Sequence, residues 1–227
     1  MRQSKIFELK VWGENACFTR PEMKVERMSY DIITPSSARA IFDAILWKPA
    51  ILWKIHQIDV LKPIQWESVR RNELKSKIPL SNITSTMKKG QGNLGLFIEE
   101  DRTQRAGLFL KNVSYVLQGS FTLTKRASEN DTVKKFEEMF IRRVEKGQCH
   151  HQPVFGNREF PAYFELADNF SAIQESKELG WMLYDIEFED YDFDSLEYKN
   201  ANPVFFNAVM EDGKVKIPDL NTNGGRL

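Results

Sequence analysis

Two segments with the periodicity of amphipathic helices, set between segments with strand periodicity, constrain the fold of this chain more than any other feature. The first helix is predicted to begin at Thr34-Pro35, because threonine caps helix N-termini and proline fits the first helical turn. It is expected to end at Trp47-Lys48-Pro49, since the residue before a proline disfavours the helical conformation. Its apolar face is formed by Ala38, Ile41, Phe42 and Ile45.

The second helix is predicted over residues 130–147. Either Asn130 or Asp131 is expected to cap it, and Gly147 is expected to stop it. Its apolar residues recur at helical spacing, which indicates a helix with one face in the core. The residues expected to point inward are Val133, Phe136, Met139, Phe140 and Val144.

Strands are predicted at residues 5–12, 50–61, 106–124 and 158–166. The apolar phase of the second strand shifts near Gln57, which predicts a β-bulge, and Pro161 places the last strand at an edge or a bulge. The order strand, helix, strand, strand, helix, strand is typical of ferredoxin-like (βαββαβ) domains, which include the RNA-recognition (RRM-like) fold. We therefore expect an α+β protein.

Two further regions complete the predicted organisation. Residues 63–105 form a long basic insertion, and a connection of that length is usually functional or mobile. Residues 175–220 are predicted to form a small antiparallel sheet with a hairpin turn at Asp212-Gly213. The predicted domains are thus residues 1–168, ferredoxin-like, and residues 169–227, a C-terminal β-sheet domain.

The net charge of zero conceals an asymmetry. Residues 161–227 carry 5 Lys or Arg and 14 Asp or Glu, whereas the first 160 residues carry 27 and 18. A basic body suggests an anionic partner; the alternative is that the two oppositely charged surfaces dock on each other. No apolar run is long enough to span a membrane, and two cysteines cannot form a disulfide framework, so a cytoplasmic location is expected.

The segment KGQCHHQP, at residues 146–153, holds two of the three histidines and one of the two cysteines. Zinc sites use paired ligands a few residues apart. Here Cys149, His150 and His151 are consecutive, and consecutive side chains of an extended segment point to opposite sides. We therefore expect no metal site. The chain also lacks a Gly-x-Ser-x-Gly nucleophile motif and a Walker-type phosphate loop.

Basic residues are dense around this segment. Arg142 and Arg143 lie at the end of the second predicted helix, where the macrodipole favours cations whether or not a ligand binds. Their density favours contact with phosphate groups. Trp53 is expected in the core, whereas Trp47 could either lie in the core or stack on a base.

Three long motifs together resemble one known family. They are SYDIITPSSARAIFDAILWKPAI (29–51), VLKPIQWESVRRNE (60–73) and RRVEKGQCHHQPVFGNREFPAYFEL (142–166). They are similar to the CRISPR-associated Cas5 family, d subtype, which belongs to the RAMP superfamily and serves type I-C (Dvulg) systems. The resemblance covers essentially the whole chain in one order.

The resemblance implies an endoribonuclease that cleaves CRISPR repeat RNA (pre-crRNA) at the base of the repeat hairpin, without metal or other cofactor. It implies that the protein then stays on the 5′ handle of the crRNA, with Cas seven and Cas eight subunits as partners in a surveillance complex (type I-C Cascade). Such cleavage needs a base that deprotonates a 2′-hydroxyl, a cation that stabilises the developing charge, and an acid for the leaving oxygen.

The family's catalytic set is a tyrosine just before Trp-Lys-Pro, and a lysine with a neighbouring histidine at the start of the second helix. In this chain Leu46 occupies the tyrosine position, and the histidine position falls on Phe136 or Glu137. Only the lysine is matched, by Lys135. Two interpretations follow: a rebuilt site with His150 or His151 as base and Lys135 or Lys134 as cation, or a protein that chiefly caps guide RNA.

The predicted catalytic residues are therefore Lys135, His150 and His151. The predicted RNA contacts are Arg20, Lys24, Arg39, Arg70, Arg71, Lys134, Arg142, Arg143 and Arg158. The alternative functions are a non-catalytic subunit that caps crRNA, and non-specific binding of duplex DNA through the 63–105 insertion.

Overall fold

A computed structural model describes residues 3–23, 25–92, 94–192 and 197–220. The chain forms eight strands and three helices within these ranges. In chain order they are β1 (Phe7–Ala16), α1 (Pro35–Ile45), β2 (Ile51–Val60), β3 (Trp66–Leu74), α2 (Leu80–Lys89), β4 (Arg102–Leu123), α3 (Val133–Glu145), β5 (Tyr163–Leu166), β6 (Lys177–Asp192), β7 (Glu197–Met210) and β8 (Lys214–Lys216).

The strands form two antiparallel sheets. The larger has the neighbour order β5-β1-β4-β2-β8, and β3 pairs with the first half of β4. The smaller consists of β6 and β7. The predicted mixed fold with antiparallel sheets is confirmed. The short strand β8 lies in the larger sheet beside β2, although its residues belong to the C-terminal segment.

Helix α1 begins as the sequence predicts. The Thr34 side chain accepts a hydrogen bond from the Ser37 backbone N–H at 3.3 Å, and Pro35 occupies the first turn. The helix ends at Ile45, with Leu46 as C-cap, slightly before the predicted Trp-Lys-Pro stop. The predicted bulge in β2 is also confirmed, since the register with β4 shifts between Ile55 and Gln57.

Helix α3 begins later than predicted. Its N-cap is Thr132, whose side chain accepts from the Lys135 N–H at 3.2 Å, so the prediction of Asn130 or Asp131 as cap was wrong. Asp131 instead accepts hydrogen bonds from Ser128 and from the Lys135 side chain. Gly147 adopts a positive φ of 61° just after the helix, consistent with its predicted role as the stop.

Trp53 lies at the centre of the core between α1, α3 and the larger sheet. The centroid of its ring is 4.8 Å from those of Phe42 and Phe140 and 5.1 Å from that of Phe121. Its indole N–H donates to the carbonyl of Leu46 at 3.0 Å, which satisfies an orphan acceptor at the end of α1. The prediction that Trp53 is a core residue is confirmed, and the contact ties the end of α1 to β2.

The basic insertion contains regular structure that the sequence did not reveal. β3 pairs antiparallel with β4 in register from Trp66 and Leu110 to Leu74 and Arg102, and β4 is 22 residues long. No residue of α2 is buried. The segment is thus a β-ribbon with a helix whose two faces are both exposed.

The turn between β7 and β8 has the predicted form. Asp212 and Gly213 both adopt positive φ, of 46° and 75°, and the Glu211 N–H donates to the Lys214 carbonyl at 2.9 Å. These are the dihedrals of the tight turns that asparagine, aspartate and glycine favour in hairpins. Within the described ranges, no helix combines the length and hydrophobicity required to cross a membrane.

The histidine on β2, His56, makes the stability of the fold depend on pH. Its Nε2 lies 2.7 Å from Ser120 Oγ, and burial, assisted by Lys54, lowers the pKa of its imidazole below the ordinary 6.5. Because the unfolded chain then binds the proton more readily, the free energy of unfolding should fall as the pH drops below about 6.5. We expect His56→Gln to reduce the difference in Tm between about pH 7.5 and about pH 5.5 by about 1–3 °C. An undiminished difference in that variant would contradict this assignment.

Candidate functional site

A surface pocket at the C-terminal end of α1 contains both histidines of the KGQCHHQP segment. Its volume is about 420 Å³, and its lining residues are Ala40, Asp43, Ala44, Trp47, His150 and His151. Both histidines are exposed, and the exposed fraction of Trp47 is 47%. The pocket therefore combines two imidazoles, a carboxylate and an accessible aromatic face.

The spacing of the α1 residues explains their side of the pocket. Ala40, Asp43 and Ala44 follow the i, i+3, i+4 pattern, which brings residues to one face of a helix, and Trp47 follows just after the C-cap Leu46. The two alanines leave room in front of the helix for the histidine rings. This pattern is the signal by which Asp43, which sequence reasoning missed, could have been found.

The two histidines are brought together by their backbone. The N–H groups of His150 and His151 both donate to the carbonyl of Ala44, at 2.7 and 3.1 Å, and their ring centroids are 4.2 Å apart. The prediction that consecutive side chains here point to opposite sides was wrong, because the segment bends around this shared carbonyl. The α1 C-terminus thus positions both imidazoles, and the same bonds satisfy a carbonyl of its last turn.

A cation lies at the same end of α1. The Arg143 guanidinium donates to the carbonyl of Ile45, one residue beyond the carbonyl that holds the histidines. A cation at a helix C-terminus is favoured by the macrodipole, so this position is stable without a ligand. One of the predicted RNA contacts is thus held at the same helix end as the two histidines.

Lys135 lies at the other end of α3. It belongs to the first turn, and its Nζ is 2.9 Å from Asp131 Oδ1, a hydrogen bond that is the main reason the pKa of Asp131 is lowered to about 2. Lys135 and Glu145 are ten positions apart in the helix, or about 15 Å along its axis. The structure therefore does not bring Lys135 and the histidines into one constellation.

The positions that the family resemblance assigns to a catalytic tyrosine and histidine, Leu46 and Phe136, contain core residues in this chain. Leu46 has no exposed surface, and Phe136 is 2% exposed with its ring centroid 6.2 Å from that of Phe121. The alternative histidine position, Glu137, accepts a hydrogen bond from the Lys5 N–H at 2.8 Å. Neither Leu46 nor Phe136 can transfer a proton.

A second group of cations surrounds Glu159. Its carboxylate accepts from Arg71 at 2.7 Å and from Arg27 at 3.2 Å, and Arg158 precedes it in an exposed position. The Arg71 guanidinium also lies 5.0 Å from the ring centroid of Phe109. The predicted contact Arg71 is thereby brought together with Arg27, a cation that sequence reasoning missed.

The remaining predicted RNA contacts are dispersed. Arg20 pairs with Asp31 at 3.2 Å and stacks on Tyr30, while Arg39 makes a two-pronged ion pair with the buried Asp185. Three others are exposed, namely Arg70, Lys134 and Arg142. Lys24 lies outside the described residues. The predicted cations therefore do not form one continuous surface, and among them only Arg71 shares a carboxylate, that of Glu159, with another cation, Arg27.

Among the described residues, no three His, Cys, Asp or Glu side chains lie close enough together to hold a metal ion. The cysteine of the KGQCHHQP segment, Cys149, packs partly buried against the core. What the histidine pocket offers chemically is therefore proton transfer by imidazole, with an aromatic face on which a base can stack.

Comparison with known proteins places the chain in a family. Residues 6–218 match the Cas5d family of CRISPR-associated proteins. The CRISPR pre-crRNA endoribonuclease Cas5d of Mannheimia succiniciproducens is 49% identical over 219 residues, covering 92% of this chain and 93% of that protein. The protein of the same name from Thermus thermophilus is 38% identical over 224 residues, covering 93% and 90%.

A solved structure agrees with the fold. The crystal structure of a CRISPR-associated protein superposes with a TM-score of 0.66 at 19% sequence identity, covering 96% of this chain and 94% of that one. At that identity the likeness concerns the fold alone. Because the family match spans nearly the whole sequence, and two relatives each cover more than nine tenths of it, this chain belongs to the Cas5d family of CRISPR-associated proteins.

Proposed function

We propose that this protein is an endoribonuclease that cleaves CRISPR repeat RNA (pre-crRNA) without a metal ion and remains bound to the 5′ handle of the crRNA. The observation that carries the proposal is the relative with 49% identity over 92% of this chain, which is named a CRISPR pre-crRNA endoribonuclease. The proposed setting is a type I-C surveillance complex with Cas seven and Cas eight subunits. The basic first 160 residues, with 27 Lys or Arg against 18 Asp or Glu, suit an RNA ligand.

The proposed base is His150 or His151. Imidazole changes protonation near neutral pH, and both rings are exposed in the pocket at the end of α1. One histidine takes the proton of the 2′-hydroxyl, which then attacks the adjacent phosphorus and forms a 2′,3′-cyclic phosphate. The other histidine, if protonated, can donate a proton to the departing 5′-oxygen, so the adjacent pair supplies both functions that the reaction requires.

The developing negative charge on the phosphate needs a cation. Arg143 is held at the same end of α1 by the Ile45 carbonyl, whereas Lys135 is eight positions, or about 12 Å, from Arg143 along α3. We therefore assign charge stabilisation to Arg143 and a contact with a neighbouring part of the RNA to Lys135 and Lys134. Trp47, which is 47% exposed, provides a face on which an unpaired base next to the cleaved bond can stack.

We further propose that β1, α1, β2, β4, α3 and β5 form the ferredoxin-like RAMP domain. The support is the neighbour order β5-β1-β4-β2, with antiparallel pairing throughout, which is how a βαββαβ unit arranges its four strands. In this scheme β3 and α2 belong to the 63–105 insertion within residues 1–168. The proposed C-terminal β-sheet domain within residues 169–227 supplies β6 and β7 as the smaller sheet and contributes β8 to the edge of the larger one.

One observation favours a second candidate function, a non-catalytic subunit that caps crRNA. The side chains at the family's tyrosine and histidine positions, Leu46 and Phe136, are both buried in the core and cannot exchange protons. Such a protein would bind the repeat tightly and in a salt-sensitive manner, and would leave it uncut.

Incubation of the protein with its own repeat RNA in EDTA distinguishes the two functions. We expect cleavage of the RNA, and no cleavage of the same RNA carrying one 2′-deoxy nucleotide before the cut, because the attacking hydroxyl is then missing. Tight binding of an intact repeat would support the capping function instead. Random duplex DNA as competitor measures binding through the 63–105 insertion, which carries Lys88 and Lys89 on exposed α2.

A further inference from the structure

The outer face of the β6–β7 ribbon exposes several large apolar side chains around the polar Asn207. The two strands pair antiparallel, and the side chains that alternate inward, Met182, Phe206 and Ala208, are buried in the core. Those that alternate outward are largely apolar and exposed: Trp181 (69%), Val209 (40%), Phe205 (38%) and Ile186 (37%). Hereafter these four residues are called the ribbon face.

The register makes these residues neighbours. Trp181 stands opposite Asn207, which places its ring diagonally between Phe205 and Val209 on the neighbouring strand. Ile186 stands opposite Pro203, further along the two strands. Isolated apolar side chains on a surface need no explanation, but a contiguous group of this size with an exposed tryptophan at its centre is typical of an interface.

The charge around the ribbon face decides what binds there. Glu178 stands opposite Val209, and Glu175, Glu211 and Asp212 are exposed near the same end. The segment from residue 161 carries 14 acidic and 5 basic residues, and one of the basic ones, Lys177, pairs with Asp31. Nucleic acid would be repelled, and so would a second ribbon of the same kind placed face to face.

We propose that the ribbon face is the docking surface for a protein subunit of the effector complex, one that presents an apolar patch bordered by Lys and Arg. This inference rests on the proposed function, which places the chain in a complex with Cas seven and Cas eight subunits. Trp181 is the anchor that enters the partner's apolar patch, and the acidic residues beside Val209 meet its basic border. The basic first 160 residues then remain free for RNA. The basic and the acidic parts of the chain would thus bind two different ligands.

The test measures binding of the purified chain to the Cas seven and the Cas eight subunit, each separately, by titration calorimetry. We expect Trp181→Ser to weaken binding of one subunit by about 30-fold or more, as for an interface hot spot. Glu178→Lys should also weaken it, and should reduce the dependence of binding on salt. The matched control is Ile6→Ser, because Ile6 is 54% exposed but lies outside the ribbon; it should change binding by less than about 2-fold.

Cleavage of repeat RNA by the isolated chain is measured in parallel and should be unchanged in Trp181→Ser, which also shows that the variant folds. If both subunits bind Trp181→Ser as tightly as the wild type, the inference is overturned while the proposed assembly stands. If neither subunit binds the wild type, the assembly and the inference both fail, and the cleavage assay still reports on the nuclease separately. If Trp181→Ser keeps its binding to both subunits but loses RNA binding or self-association, the ribbon face binds RNA or a second copy of the chain, and the proposal is refuted.

Discussion

Replacing His150 or His151 by alanine is expected to lower the rate constant for repeat RNA cleavage by about 10²–10⁴-fold, for whichever histidine is the general base. Both rings lie in one pocket, 4.2 Å apart between centroids, and both backbone N–H groups hold the Ala44 carbonyl. Alanine keeps those backbone bonds. The loss should therefore fall on proton transfer and leave the folded structure intact.

The measurement is single-turnover cleavage with saturating enzyme, accompanied by the Kd for a 2′-deoxy repeat that cannot be cut. A catalytic histidine changes the rate constant and leaves that Kd within about 3-fold, whereas a histidine that only holds RNA does the reverse. Added imidazole should restore part of the rate in the variant that lacks the base.

The third histidine provides the matched control. His56 is on β2 with its Nε2 on Ser120, away from the pocket residues, so His56→Ala should cleave at about the wild-type rate. Wild-type cleavage by the double variant lacking both His150 and His151 would exclude the pocket as the active site. The α3 N-terminus, where Lys135 lies, would then be the remaining candidate for the active site.

Local signals predicted the elements whose ends are determined by short-range chemistry. Thr34 and Pro35 begin α1, and the bulge at Gln57 and the turn at Asp212-Gly213 lie where the sequence placed them. The N-cap of α3 was misassigned because three capping residues are adjacent, and only packing decides among them. Thr132 takes the role while Asp131 is held by Ser128 and Lys135.

Elements that depend on long-range pairing or lack a core-facing stripe could not be predicted. α2 carries Leu80, Ile83 and Met87 at helical spacing, but none of its residues is buried, so this short apolar stripe has no core to mark. β8 joins β2 through pairs such as Val215 with Ile58, which are far apart in sequence. β3 is recognisable only from its pairing with the extended first half of β4.

The sequence predicted the two histidines of the candidate site but not their arrangement, because the arrangement depends on contacts between residues that are far apart in the chain. The sequence identified His150 and His151 as residues of interest, since they stand in a chain with three histidines. Their convergence depends on the Ala44 carbonyl of another element, a hydrogen bond across more than 100 residues. The distance between Lys135 and the histidines likewise follows from the straight course of α3, which separates groups that are close in sequence.

The ion pair between Arg39 and Asp185 is expected to produce the largest stability effect among polar substitutions. The two terminal nitrogens of Arg39 both donate to the Asp185 carboxylate, Nη1 to Oδ2 and Nη2 to Oδ1 at 2.8 Å. Asp185 Oδ1 also accepts from the Ile186 N–H. The Asp185 side chain is 8% exposed and that of Arg39 is 21% exposed. The pair connects α1, which forms one wall of the histidine pocket, to the β6–β7 ribbon.

Arg39→Met should lower the free energy of unfolding by about 3–5 kcal/mol, because it leaves the Asp185 charge buried without its partner. Denaturant unfolding at neutral pH measures the change. The exposed pair Lys10–Glu165, with side chains 35% and 51% exposed, is the control: Lys10→Met should cost less than about 1 kcal/mol.

The double variant Arg39→Met/Asp185→Leu separates the burial of an unpaired charge from the loss of an attraction. If the isolated charge causes the instability, removing Asp185 as well should recover most of it, since apolar groups of similar volume often replace a buried pair at little cost. If Arg39 acts mainly through RNA, as the sequence predicted, the single variant would keep its stability and lose repeat binding. If Arg39→Met and the wild type have the same free energy of unfolding, the structural role of Arg39 is refuted, and Arg39 is assigned to the RNA-binding surface.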